Sequence, residues 1–213
     1  MKDQTFRSLL HDNPVLFRMI GLSPLLAISY SLTLSISLGI IFFIVLTITS
    51  LIVSTTRYFI PPPAAIPCYV LITATLVTII DLLMQAWFPD LRSALGIYLL
   101  IIAVNCLILD RIIVFASQNN IIRSVRDAAF HGFAIFLVLV VLGAFRELIA
   151  HGSLFKDIEL LTGESGKIFS LKLAQNNKAF ILASLPAGAF ICLGLLIALS
   201  KLLKITSSNK TDQ

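Results

Sequence analysis

The chain has 213 residues, of which 58% are hydrophobic and only 13% charged, with a mean hydropathy of +0.97. Soluble domains carry roughly 45–50% apolar and about 25% charged residues, so this composition excludes a sizeable soluble domain and indicates a polytopic membrane protein. The net charge of +5 is spread over loops and tails, as lipid headgroups and topology require, and calls for no nucleic acid.

The apolar residues come in unbroken blocks rather than in strict alternation, so the spans are helices and not the strands of a barrel. The first ~13 residues are polar and lack an apolar core followed by a small-residue cleavage site, so no cleavable signal is expected. A first apolar segment covers about 14–30. Arg18 and Gly21-Leu22-Ser23-Pro24 interrupt it, and Pro24, which lacks a backbone donor, predicts a broken helix. A plain span follows at 34–54 and ends before Arg57 and Pro61-Pro62-Pro63. The third block, 68–88, contains a lone Asp81 and closes at Pro89-Asp90. The fourth covers 94–110. A polar, basic stretch from Phe115 to Ala128 reads as a connection, and the fifth segment, 132–149, ends in Arg146-Glu147. After a long polar loop the sixth covers 179–203, and 204–213 reads as a disordered tail. The expected organisation is one integral membrane domain over 1–203.

If all six segments cross, the side holding the N-terminus collects Lys2, Arg7, Arg18, Arg57, Arg111, Arg123, Arg126, Lys201, Lys204 and Lys210. The opposite side holds Arg92, Arg146, Lys156, Lys167, Lys172 and Lys178. This asymmetry predicts both termini in the cytoplasm. The interrupted first and fourth segments begin two matching halves, which suggests an all-α fold of two inverted three-helix repeats with broken first helices.

The fourth segment carries the sharpest chemical signal. It is apolar from Leu95 to Leu109 except for Asn105 and Cys106, and then meets Asp110 and Arg111. About 15 apolar residues reach only ~22 Å, short of the ~30 Å hydrocarbon core. An amide beside a thiol has no use facing lipid and belongs against protein or a polar cavity. A short segment with a polar pair near mid-depth predicts a broken helix, and broken helices mark sites.

Taken together, several ordered motifs resemble the E-subunit family of the Rnf (Rsx) electron transport complexes, homologous to the D subunit of sodium-translocating NADH:quinone reductase. They are Asn13-Pro14-Val15-Leu16, GLSPLLAIS at 21–29, IPCYVLITATLVT at 66–78, Ser93 to Tyr98, Val104-Asn105-Cys106, Val141 to Leu148, Gly152 to Phe155 and LPAGAFICLGLLIAL at 185–199. The resemblance implies six transmembrane segments in two inverted halves, in a bacterial inner membrane. It also implies a 2Fe–2S cluster at the interface with a homologous sister subunit of opposite orientation, held by two cysteines from each. The implied partners are the A, B, C, D and G subunits, the A subunit closest. The implied activity of the complex is electron transfer between ferredoxin and NAD, coupled to Na⁺ or H⁺ movement.

Two positions depart from that pattern. The family's cluster cysteines fall in a Gly-Leu-Cys-Pro and an Asn-Cys motif; Cys106 matches the second, but Ser23 stands in the first. A hydroxyl is a poor substitute for the thiolates that hold such clusters, leaving the site labile, shifted in potential or missing. Asp110 stands where the family tends to have Gly and would add an anionic group that lowers a cluster's potential. The candidate ligands are therefore Cys106 and, in the family's other cysteine position, Ser23, with Asn105 hydrogen-bonding nearby. Cys68 could replace the missing thiolate only if the third segment reached the symmetry axis; a small buried hydrophobe is the commoner role of a free Cys.

The remaining conspicuous residues have plainer readings. Cys192 suits close helix packing, as do Gly96 and Gly188. Asp81 is either an ion-pathway carboxylate or the partner of a cation. Arg146-Glu147 reads as an interfacial pair at the end of a span, and His131 and His151 lack companions at metal-ligand spacing. Two functional classes follow: a redox subunit of an ion-pumping oxidoreductase, or a structural or transporter-like membrane subunit that binds no iron.

Overall fold

The computed structural model describes residues 28–151, 153–154, 171–172, 187–195 and 198. Among these, four helical stretches are long and apolar enough to cross a membrane: Leu32–Thr56, Pro62–Trp87, Ile97–Ala116 and Ile121–Ala150. The first and sixth expected segments fall wholly or largely outside the described residues, apart from Ile28 to Tyr30 and the helical stretch at 187–195.

Helix α1, Leu32–Thr56, is nearly all apolar or hydroxylic. Its buried serines return their hydroxyls to carbonyls one turn back, Ser35 to Ser31 O at 2.9 Å and Ser37 to Thr33 O at 2.9 Å, which lets small polar side chains sit in an apolar bundle. The prolines after Ile60 end the helix and form one 3₁₀ turn, Pro62–Ala64. Helix α2, Ala65–Trp87, then buries only Tyr69, Thr73, Val77 and Asp81. That four-residue repeat is a single narrow stripe, so α2 lies on the rim of the bundle with most of its apolar surface outward.

The longest helix, α6, Ile121–His151, packs antiparallel along α1. Close approach sets this pairing: a Cβ on Gly143 would lie 2.7 Å from Ser35 Cβ, so only glycine fits where the two backbones meet. Leu34, Leu38, Phe42 and Leu46 of α1 are fully buried, as are Leu95, Leu99, Ile102 and Ile108 of the interrupted fourth segment. The core therefore lies between the α1–α6 pair and that segment. The only strands among the described residues are two-residue pieces, β1 Ser153–Leu154 and β2 Leu171–Lys172, paired antiparallel.

Three expectations change. The basic stretch expected to connect the fourth and fifth segments is helical from Ile121, because Ser124 and Ala128 are buried against the bundle while Arg123 and Arg126 on other faces stay exposed. The fourth segment does not stop at Asp110. It continues to Ala116 through a π-helical turn, Ile112–Ala116, because Arg111 folds back onto α6. There it meets His131, and its Nη1 lies 3.8 Å from Asp127. Gly96 is needed for conformation and not for close approach: its φ is +52°, and an added Cβ would have room. That left-handed residue turns the chain from α3, Pro89–Leu95, into α4, Ile97–Ile101.

Candidate functional site

The break expected in the fourth segment is at Asn105. Helix α4 tightens into a 3₁₀ turn, Ile102–Val104, and Asn105 takes an extended conformation (φ −68°, ψ 124°) before helix α5, Cys106–Arg111, begins. The local cause is side-chain chemistry. Asn105 Oδ1 accepts the Leu107 N–H at 2.9 Å, and the Asn105 carbonyl accepts from Ile108 and Leu109, each at 3.1 Å. The amide thus caps a new helix in mid-span and satisfies donors that would otherwise face hydrocarbon.

This geometry separates two neighbours. Asn105 is buried, at 4% exposure, while Cys106 is exposed and Val104 beside it is 59% exposed. The thiol is therefore presented outward from an interruption near the middle of the 97–116 span. Asp110 follows one turn later, on the same side of α5, and is half-buried.

Cys192 is buried. Cys68 lies in the first turn of α2, about 28 Å along that helix from Trp87, whereas Cys106 is only about 14 Å along from Ile97. The Asp81–Arg92 link ties the C-terminal end of α2 to α3, which leads into α4. Cys68 therefore lies near the end of its span opposite the Asp81–Arg92 link, whereas Cys106 lies near the middle of its own. Ser23 lies outside the described residues. Among the described residues, no group of three or more His, Cys, Asp or Glu side chains converges.

Asp81 is structural in the sense of the cation-partner reading. Arg92 donates to it from Nε at 3.0 Å and from Nη2 at 3.2 Å. The hydrogen bond, and then the carboxylate's charge, hold the Arg92 pKa above its ordinary value. This two-point contact pins α3 against α2 and fixes the approach to Gly96.

The largest departure from the sequence reading concerns Arg146 and Glu147. They are not an interfacial pair: their exposures are 0% and 1%. A Glu147 carboxylate oxygen accepts the Leu32 N–H at 2.7 Å, so it caps α1 from across the bundle, where Ser31 makes no side-chain cap. Arg146 Nη1 donates to Ser29 Oγ at 2.8 Å. Two of the family-like motifs, GLSPLLAIS and the stretch ending in Arg146-Glu147-Leu148, therefore meet, and α6 fixes the chain as it leaves the first segment for α1. A signal for this was present: the two charges have apolar residues on both sides, and Leu148-Ile149-Ala150 leaves them short of the end of the span.

Known proteins of the same length class share much of this sequence. The chain is 42% identical to the E subunit of the ion-translocating oxidoreductase complex of Thioalkalivibrio sulfidiphilus over 193 residues, 91% of this chain and 85% of that protein. It is 42% identical to the protein of the same name from Haemophilus influenzae over 188 residues, 88% and 80% of the two chains. Over 202 residues it is 40% identical to that from Shewanella loihica, covering 95% and 87%. The family described as "Rnf-Nqr subunit, membrane protein" matches residues 1–197. With nearly its whole length matched, and with its apolar helices, the chain belongs to the Rnf-Nqr family of membrane subunits.

Proposed function

We propose that the chain is a membrane subunit of an Rnf-type ion-translocating oxidoreductase complex and holds one side of a 2Fe–2S cluster shared with a homologous sister subunit. Its relatives are, by name, subunits of such complexes, and the chain has the part of a subunit that is not catalytic alone. The observation that carries the finer reading is the capped break at Asn105 with Cys106 exposed beside it. Irregular backbone at membrane depth is tolerated only where protein or water covers it, so this face suits a neighbouring subunit better than lipid.

The donor set fits a shared site and not an enclosed one. This chain offers one outward thiol, and no three potential ligands gather among the described residues. A bound cluster would supply one-electron transfer. The chain's own residues present the sulfur and hold its turn through Asn105. Asp110, one turn on, sits where its charge would lower the potential of such a group.

The remaining parts of the reading follow from the family. Six segments in two inverted halves would bring position 23 towards the sister subunit, as Cys106 is brought from the other half. Arg57, Arg111, Arg123 and Arg126 gather at one end of the described bundle, which supports that end facing the cytoplasm of a bacterial inner membrane, with both termini there. The A, B, C, D and G subunits are then its partners, the A subunit nearest, and the complex couples electron transfer between ferredoxin and NAD to Na⁺ or H⁺ transport.

Ser23 favours a second reading, a subunit that is structural or transporter-like and has lost its cluster. Iron analysis of the purified complex separates the two. The shared-cluster reading expects two iron atoms per complex beyond those of the other centres, with Ser23→Cys raising low occupancy. An assembled complex lacking this iron supports the second.

A further inference from the structure

We propose that the end of the bundle formed by residues 57–59 and 119–126 binds the headgroup of an anionic phospholipid. The two stretches are one surface. Arg57 Nη1 donates to Asn119 O at 2.7 Å, and Ser54 Oγ donates to the same carbonyl at 2.9 Å. Arg57 also donates from Nη2 to Tyr58 Oη at 2.6 Å, with its guanidinium 4.6 Å from the Tyr58 ring centroid. These contacts hold the guanidinium in place without neutralising it.

Charge on this surface is one-signed. Arg57, Arg123 and Arg126 have no carboxylate partner among the described residues. The nearest acid along α6, Asp127, is already engaged, 3.2 Å from His131 and 3.8 Å from Arg111. Between these cations stand large apolar side chains that no other part of the described chain covers: Tyr58 is 80% exposed, Phe59 88% and Ile122 82%.

Depth decides which partner fits. Helix α1 ends at Thr56 and α6 begins at Ile121, so every one of these residues lies within about a turn and a half of the end of a span, at the level of the headgroups. An arginine there can lay its stem along acyl chains and its head on phosphate, while aromatic and isoleucine side chains sink into the boundary. An acidic soluble protein would meet the same charges but leave Phe59 and Ile122 poorly used. This surface is independent of the cluster at Cys106.

The test is native mass spectrometry of the membrane-purified assembly containing the full chain, with stepwise addition of phosphatidylglycerol or phosphatidylcholine. The wild type should retain phosphatidylglycerol preferentially. Each of Arg123→Gln and Arg126→Gln should weaken that retention roughly fivefold, the effect of about 1 kcal/mol per surface charge, with phosphatidylcholine unaffected. The corresponding Lys variants should keep the preference. Both side chains are exposed, so folding is not at stake. No preference in the wild type, or an undiminished preference in the double Gln variant, would overturn the proposal. So would loss of a protein component from the double Gln variant at unchanged lipid retention, which would assign the surface to a protein.

Discussion

Replacing Glu147 with Ala should be the most damaging single change among the described residues. It removes the acceptor of the Leu32 N–H and leaves that donor buried at the start of α1. It also truncates a fully buried side chain. An unmet buried donor costs about 1–3 kcal/mol, and the cavity left by the truncated side chain adds to it, so a loss of about 3 kcal/mol is expected. For a chain of this size that corresponds to roughly 6–12 °C in melting temperature, measurable by thermal unfolding in detergent. Glu147→Gln keeps an oxygen that can accept the same hydrogen bond and should recover part of the loss. If Ala and Gln unfold alike, the charge and not the cap is what matters.

A second large effect is expected at Gly143. Any side chain there meets Ser35, whose Cβ is 2.7 Å from the position a Cβ would take, and then Ser31 O at 3.4 Å. Helix backbones cannot yield locally, so Gly143→Leu should force α1 and α6 apart at a cost of about 3 kcal/mol or more. The amount of chain inserted in the membrane, read by immunoblot, should fall several-fold. Gly143→Ala should be milder, and combining it with Ser35→Gly should restore part of the lost stability because the space is exchanged between the two helices. Equal levels for Gly143→Leu and the wild type would show that the helices do not meet as described.

The two variants bear on how much of this structure could be read from residues alone. The break at Asn105 was legible because its signal is local: a polar pair inside an apolar run, with an amide able to cap the next helix. The ending of α2 before Pro89 was legible for the same reason. Glu147 was not, since its partner is the backbone of a residue 115 positions away, and no pattern in a helix reports what sits opposite it. Arg111 misled for a related reason. It looks like the end of a span in sequence, yet pairing with Asp127 and His131 on α6 carries the helix through to Ala116. Glycine, too, was readable only as a need: Gly143 serves close approach, whereas Gly96 serves a left-handed turn, and the sequence does not distinguish these uses.

The shared-cluster reading turns on Cys106 being a ligand at an interface between subunits and not a packing residue that happens to lie at a break. Low-temperature electron paramagnetic resonance of the reduced, intact complex addresses this directly, comparing Cys106→Ala with Cys192→Ala. The 2Fe–2S signal should disappear in the first variant while the subunits stay assembled, and persist in the second, whose thiol is buried. A signal of unchanged amplitude in Cys106→Ala would contradict that reading.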